Sequence, residues 1–158
     1  MKIADGIFTQ RQAAVQRLNF GKIRERIAMF GWLTAHPVFQ LTIAGAVGTL
    51  TRYWVGGLVQ RWLGAGFPWG TLLINVSGCF LFGFVWTLAE DRLLISPQTR
   101  LVVLTGFMGA YTTFSTFAFE TSQMLADSEW MRAAGNLALH NFLGLAAVLL
   151  GLALGRLV

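Results

Sequence analysis

TRLVVLTGFMGAYTTFSTFAFETSQMLA, residues 99–126, is long and apolar enough to cross a bilayer, yet its middle carries Gly106, Gly109, Thr112, Thr113, Ser115 and Thr116. Inside hydrocarbon, unpaired backbone groups are strongly penalised. A helical discontinuity at that depth is tolerated only where protein covers it or a polar path runs past it. Helices broken near mid-membrane are a recurrent way of holding ions. The stretch therefore predicts an all-α membrane protein that handles an ion, and it argues against a soluble enzyme.

The rest of the chain agrees. Of 158 residues, 55% are hydrophobic and only 12% charged, about half the charged share of an ordinary soluble domain. Three further apolar stretches accompany the quoted one, at about Val38–Val59, Trp69–Ala89 and Trp130–Leu154. Each reaches the roughly 20 helical residues that a bilayer core of roughly 30 Å demands. None shows the two-residue alternation of a barrel strand. Short polar links separate them: Pro68 and Gly70 open the second stretch, Glu90, Asp91 and Arg92 close it, and Pro97 starts the third. Asp127, Ser128 and Glu129 part the third from the fourth, with Ser128 the candidate N-cap. Trp54, Trp62, Trp69, Trp86 and Trp130 lie toward stretch ends, as interfacial anchors do. The expected fold is four transmembrane helices, the third broken near mid-membrane.

Residues 1–37 read differently, as a basic, partly amphipathic extension to a channel-sized domain over 38–158. Between about Ile7 and Phe30, a loose apolar stripe (Ile7, Val15, Leu18, Ile23, Ile27, Phe30) alternates with Arg and Lys. Such a segment suits the bilayer surface; a targeting segment is the other reading. Residues 31–37 read as the link to the first stretch. The net charge of +5 comes largely from this part: Lys2, Arg11, Arg17, Lys22, Arg24 and Arg26 all precede the first stretch. The bias indicates a membrane surface and not nucleic acid. With four spans, these six share a side with Arg92, Arg100 and Arg156, facing only Arg61 and Arg132, so the termini are expected in the cytoplasm. Without the extension the count is three against two, a balance that permits insertion both ways, whereas the extension favours a fixed orientation.

Polar groups inside the stretches are the candidate site residues. Arg52 lies well within the first, either snorkelling to the surface or forming a cationic vestibule for anions. Asn75 in the second offers two donors and one acceptor, as interhelical glue or as an anion donor. Phe114 and Phe117, three apart, share a helical face; their positive ring edges suit an anion, although plain packing has the same spacing. Thr113, Ser115 and Thr116 add hydroxyls beside them. The carbonyls of Gly109 and Thr112 either bind a hard cation or are satisfied within a kink. Glu120 needs a partner, with Arg52 one possibility. In the fourth stretch Asn136 and His140 share a face that Gly144 continues, in a structural role or as donors to an anion. His36 and His140 make a poor transition-metal site, and the single Cys79 permits no intrachain disulfide.

Taken together, Gly48 through Arg52, the GTLLINVSG run around Asn75 and TGFMGAYTTFSTFAFE resemble the small bacterial fluoride channels of the Fluc/CrcB family, over roughly 38–157. The resemblance implies a passive, selective fluoride channel in the bacterial inner membrane, built as an antiparallel, dual-topology homodimer with two paths shared between subunits. It implies that Asn75 donates to fluoride, that Phe114 and Phe117 line the paths, and that Thr116 stands beside them. It further implies that Arg52 and Glu120 sit toward the vestibules, and that the Gly109 and Thr112 carbonyls bind a structural sodium ion on the dimer axis. Two departures stand out. The family's glycine pair before the threonines is Gly109–Ala110 here, and the fourth-stretch hydroxyls are replaced by Asn136, His140 and Gly144. An ion-coupled small-anion transporter and a non-conducting membrane scaffold are the rival readings. No Ser/His/Asp order, HExxH or carboxylate pair supports an enzyme.

Overall fold

The computed structural model describes residues 36–158, together with Arg26, Met29 and Gly31 of the segment before them. Apart from those positions, the expected surface helix over Ile7–Phe30 and the link over 31–37 lie outside the described residues. The chain divides into two compact units, Met1–Phe39 and Gln40–Val158. Among the described residues from Pro37 on, four rods make the architecture. Helix α1 runs Pro37–Leu63 and α2 Trp69–Glu90. The third rod is built in pieces: α3 (Pro97–Arg100), a π-helical run (Leu101–Met108), α4 (Gly109–Tyr111) and α5 (Phe114–Ala126). Helix α6 runs Trp130–Gly155. The all-α expectation holds, and the third rod is broken near residue 112 as the sequence suggests.

Local chemistry explains the boundaries. Ser96 Oγ accepts from Thr99 N at 3.1 Å with Pro97 just inside the helix, a side-chain cap followed by a residue whose missing N–H is harmless there. Gln60 clasps the α1–α2 link. Its amide donates to the Gly64 and Phe67 carbonyls at 2.7 and 2.9 Å, and its Oε1 accepts from Gly70 N at 3.1 Å. Ser128 corrects an expectation, because it caps the end of α5 and not the start of α6. It stands in the left-handed region (φ 62°), with Ser128 N donating to Leu125 O and Glu129 N to Met124 O. This is the Schellman pattern that closes a helix, and Glu129 is left as the cap of α6, its carboxylate accepting from Arg132 and making no capping bond to the backbone.

Three rods are long and apolar enough to cross a membrane: Trp69–Glu90, Pro97–Ala126 and Trp130–Gly155. Helix α1 was expected to qualify too. It has the length, but Gln40, Arg52, Gln60, Arg61 and its glycines dilute its apolarity. Only 11% of the most apolar window of α6 is buried, and Phe142, Leu145 and Leu149 stand exposed along it. In water such a face would aggregate; in a bilayer it meets lipid or another protein chain.

Glycines set the packing. Side chains added at Gly83 and Gly151 would strike the Val148 and Phe80 carbonyls, so α2 and α6 touch backbone to backbone. Gly155 faces Thr87, whose hydroxyl donates to Leu152 O at 3.4 Å. Helix α1 approaches the third rod through Gly48, beside the Phe107 carbonyl, and α2 through Gly56, beside Ile74. A small core of Ile74, Leu104, Met108 and Tyr111 fills the centre, directly beneath the break.

Candidate functional site

The break occupies two residues. Thr112 (φ −81°, ψ 157°) and Thr113 (φ −148°, ψ 106°) are extended between α4 and α5. Gly106 and Gly109, equal candidates on sequence grounds, are helical. Asn75 braces the gap from α2. Thr113 N donates to Asn75 Oδ1 at 2.8 Å and Asn75 Nδ2 donates to Thr113 O at 3.1 Å. One side-chain amide thus answers both halves of an interrupted residue, as buried backbone groups require. Thr113 then caps α5, its Oγ1 accepting from Thr116 N at 3.3 Å and pairing with Thr116 Oγ1 at 2.9 Å. Thr112 Oγ1 donates back to Met108 O at 3.0 Å, and Ser77 Oγ pairs with the Tyr111 hydroxyl at 2.9 Å.

These bonds redirect two amides. In an unbroken helix Thr113 N would serve the Gly109 carbonyl and Thr116 N the Thr112 carbonyl. Asn75 and the Thr113 side chain take them instead. Gly109 is exposed, with open space over its Cα. Its carbonyl and that of Thr112 therefore suit a hard cation by donor type. Among the described residues no cluster of three or more His, Cys, Asp or Glu offers another metal site.

A cavity of about 360 Å³ opens beside the break, walled by Asn75, Thr112, Phe114, Phe117 and His140 among others. Gly109 reaches it too. Phe114 and Phe117 meet edge to face, centroids 5.5 Å apart. Their settings differ: Phe117 is 6% exposed and Phe114 77%. The Phe117 ring lies 4.3 Å from His140. Asn75 keeps a second amide hydrogen beyond the one given to Thr113, so it is a brace and still has a donor to offer.

The remaining candidates fall outside that wall. Ser115 and Thr116 are exposed on the first turn of α5, their hydroxyls drawn toward Thr113. Asn136 is fully buried below the cavity; its Nδ2 donates to Thr121 Oγ1 at 2.9 Å, and its Oδ1 has no partner. Glu120 accepts from Thr71 Oγ1 at 2.7 Å, leaving Oε2 buried without a partner. Its companion is thus Thr71 and not Arg52, which lies half-buried on α1. Sequence reading missed Thr71 and Thr121. The signal for Thr71 was its place one turn before Asn75, on the same face of α2.

Comparison with known proteins agrees with the geometry. Residues 39–152 match the family described as CrcB-like protein, Camphor Resistance (CrcB). The chain belongs to the CrcB family. A relative from Nitrosococcus oceani, named fluoride-specific ion channel FluC, is 58% identical over 118 residues, 75% of this chain and 94% of that protein. Proteins of the same name from Solidesulfovibrio magneticus and Desulforapulum autotrophicum are 52% and 47% identical. The first covers 75% of this chain and 94% of its own length, the second 78% and 98%. The CrcB match begins after the basic extension and takes in all four rods.

Proposed function

We propose that this CrcB chain is a passive, selective fluoride channel, a multi-pass protein of the bacterial inner membrane and not an enzyme. The observation that carries the reading is the cavity at the break, where a braced amide and two aromatic rings stand together within a chain akin to fluoride-specific channels. Fluoride is small and strongly hydrated, and stripping its water in a low-dielectric core is prohibitive without replacement. The second Asn75 hydrogen and the positive ring edges of Phe114 and Phe117 replace hydration in small increments. Each is too weak to trap the ion, which conduction requires. Hydrogen fluoride enters a cell as the neutral acid and dissociates inside; an anion leak lets fluoride escape.

The working unit in this proposal is a homodimer, antiparallel and of dual topology. Support comes from Phe114, whose ring is largely uncovered in one chain although it walls the cavity. A second copy would complete that wall. The carbonyls of Gly109 and Thr112 would hold a sodium ion between the copies, where it would supply fixed positive charge and tie them together. Ala110 after Gly109 does not interfere, since carbonyls and not side chains would be the ligands.

Purified protein in liposomes, read with a fluoride electrode, tests the proposal. Fluoride should leave down its own gradient once potassium carries the compensating charge, and chloride should not. Flux that needs a proton or sodium gradient would replace the channel with a coupled transporter. No flux would leave a scaffold. Exchanging sodium for a bulky organic cation should weaken cysteine crosslinking between copies if the cation site is real.

A further inference from the structure

Thr71, and through it Glu120, stand one turn before Asn75 on α2. In the other direction α2 continues from Asn75 to Glu90, about 22 Å at 1.5 Å per residue. That is enough to run from mid-membrane to the surface of a hydrocarbon core roughly 30 Å thick. Asn75, Cys79, Phe82, Trp86 and Glu90 follow one another at three- and four-residue steps, so they share one face of the helix. Cys79 and Phe82 still wall the cavity at the break, with Leu104 and Met108 of the third rod. Beyond them Phe82 and Trp86 lie near-parallel, centroids 6.3 Å apart and planes 11° apart. The Arg100 guanidinium carbon stands 5.6 Å from the Trp86 ring centroid, and its Nη1 pairs with Glu90 Oε1. Arg100, Glu90 and Ser96 wall a second cavity of about 380 Å³. Two cavities are therefore strung along the same pair of rods. The rings between them are left half-open by the chain's own packing, Phe82 being 40% and Trp86 42% exposed.

Resting on the fluoride reading, we infer that this stripe of α2 is a second half of the anion path, and that Arg100 marks its mouth as a collecting site for a small anion. The rim of an aromatic ring is positive and its face negative. Trp86 can thus hold the guanidinium over its face and still offer its rim to an anion, as Phe82 does. These are weak contacts of the kind that Phe114 and Phe117 make at the break, so they continue the path without a trap. Arg100 supplies the long-range attraction that rings lack. One carboxylate cannot use all five N–H groups of a guanidinium, so the pair with Glu90 keeps donors for a ligand. Glu90 fixes the guanidinium in place and, being negative, competes with the anion for it. The neighbouring Asp91 is engaged by Arg156 at 3.3 Å.

The test is fluoride efflux from liposomes holding the full chain, in about 0.01 M and about 1 M of a salt with an impermeant anion, where the screening length falls from about 30 Å to about 3 Å. R100Q should cut flux several-fold at low salt and approach wild type at high salt, because a collecting charge acts through a field that salt screens. E90Q should do the reverse, raising low-salt flux above wild type. W86L should lower flux at both salts, whereas W86F, which keeps a ring, should retain most of it. R100Q leaves Glu90 unpaired, so E90Q/R100Q is run beside it and should also fall below wild type at low salt. Size-exclusion chromatography shows which variants fold. Wild-type flux in R100Q and the double variant, a loss that salt does not change, or full flux in W86L overturns the inference while leaving fluoride conduction intact. Should neither arginine variant fold, E90Q decides: no gain, or an equal gain at both salts, overturns it. Absence of wild-type flux at either salt brings down the fluoride reading as well.

Discussion

The seam between α2 and α6 and the gap between α4 and α5 solve opposite problems with the same helix, α2. Along the seam the chain removes side chains: Gly83, Gly151 and Gly155 bring backbones together, and the polar links are the long Thr87 contact and an exposed Arg156–Asp91 ion pair at the helix ends. At the gap it adds them: Asn75, Thr113 and Ser77 supply hydrogen bonds that the broken helix can no longer make for itself. The first region is stable because nothing polar is left over. The second retains a spare hydrogen on Asn75, which gives only one of its two to Thr113. Rigidity is concentrated in one and ion chemistry in the other.

The sharpest way to break that contrast is Gly151→Ala. The new methyl group would run into Phe80 and Phe84 backbone, which cannot yield as a flexible side chain would. We expect most of the folded protein to be lost, read as the monodisperse peak in size-exclusion chromatography after detergent extraction. Asn75→Ala should come next. It leaves the N–H of Thr113 without a partner, at about 1–3 kcal/mol for a buried group, and takes from the Thr113 C=O the second of its bonds. Thermal unfolding in detergent should drop and fluoride efflux should fall to the protein-free level. A variant of full stability and full flux would show that the brace is not needed.

The two phenylalanines sharpen the comparison within the gap itself. Phe117→Ile should lower both stability and flux, because Phe117 is buried against His140 and Phe114. Phe114→Ile should reduce flux with little change in the melting of a detergent-dispersed protomer, since the ring is largely uncovered. Equal stability losses would mean that both rings are ordinary packing. The smallest effect belongs to a control site remote from both regions. Ser128→Gly relieves a left-handed residue and should add about 0.5–1 kcal/mol of stability, seen as a modest rise in melting temperature with flux unchanged.

Much of this was legible in the residues. Apolar length announced the rods, and the cluster of small and hydroxyl residues announced an interruption in the third. Its position within that cluster was not legible, because Gly106 and Gly109 are as permissive as Thr112 and Thr113 by local propensity. Asn75 settles it from another helix by offering an amide at one height only. The same reason hid the partner of Glu120. A carboxylate in an apolar span suggests arginine, whereas Thr71 reached it first through α2–α5 packing. Ser128 was misjudged because serine is favoured at helix starts, and only the hydrogen bonds of Leu125 and Met124 reveal that it ends one. Asn136 and His140 were correctly set on a common face. The unused Oδ1 of Asn136 could not be foreseen, since vacancy of a lone pair depends on every neighbour.

One consequence of the Asn75–Thr113 pairing reaches beyond the site. A single amide acts as one rung of a ladder between two rods, so α2 is held in phase with the third rod to within a residue. Inserting one residue between Gly70 and Asn75 would swing that rung by about 100° around its helix. Substitutions in this turn are survivable by their chemistry, while a change of length there would disconnect the rods however conservative its composition.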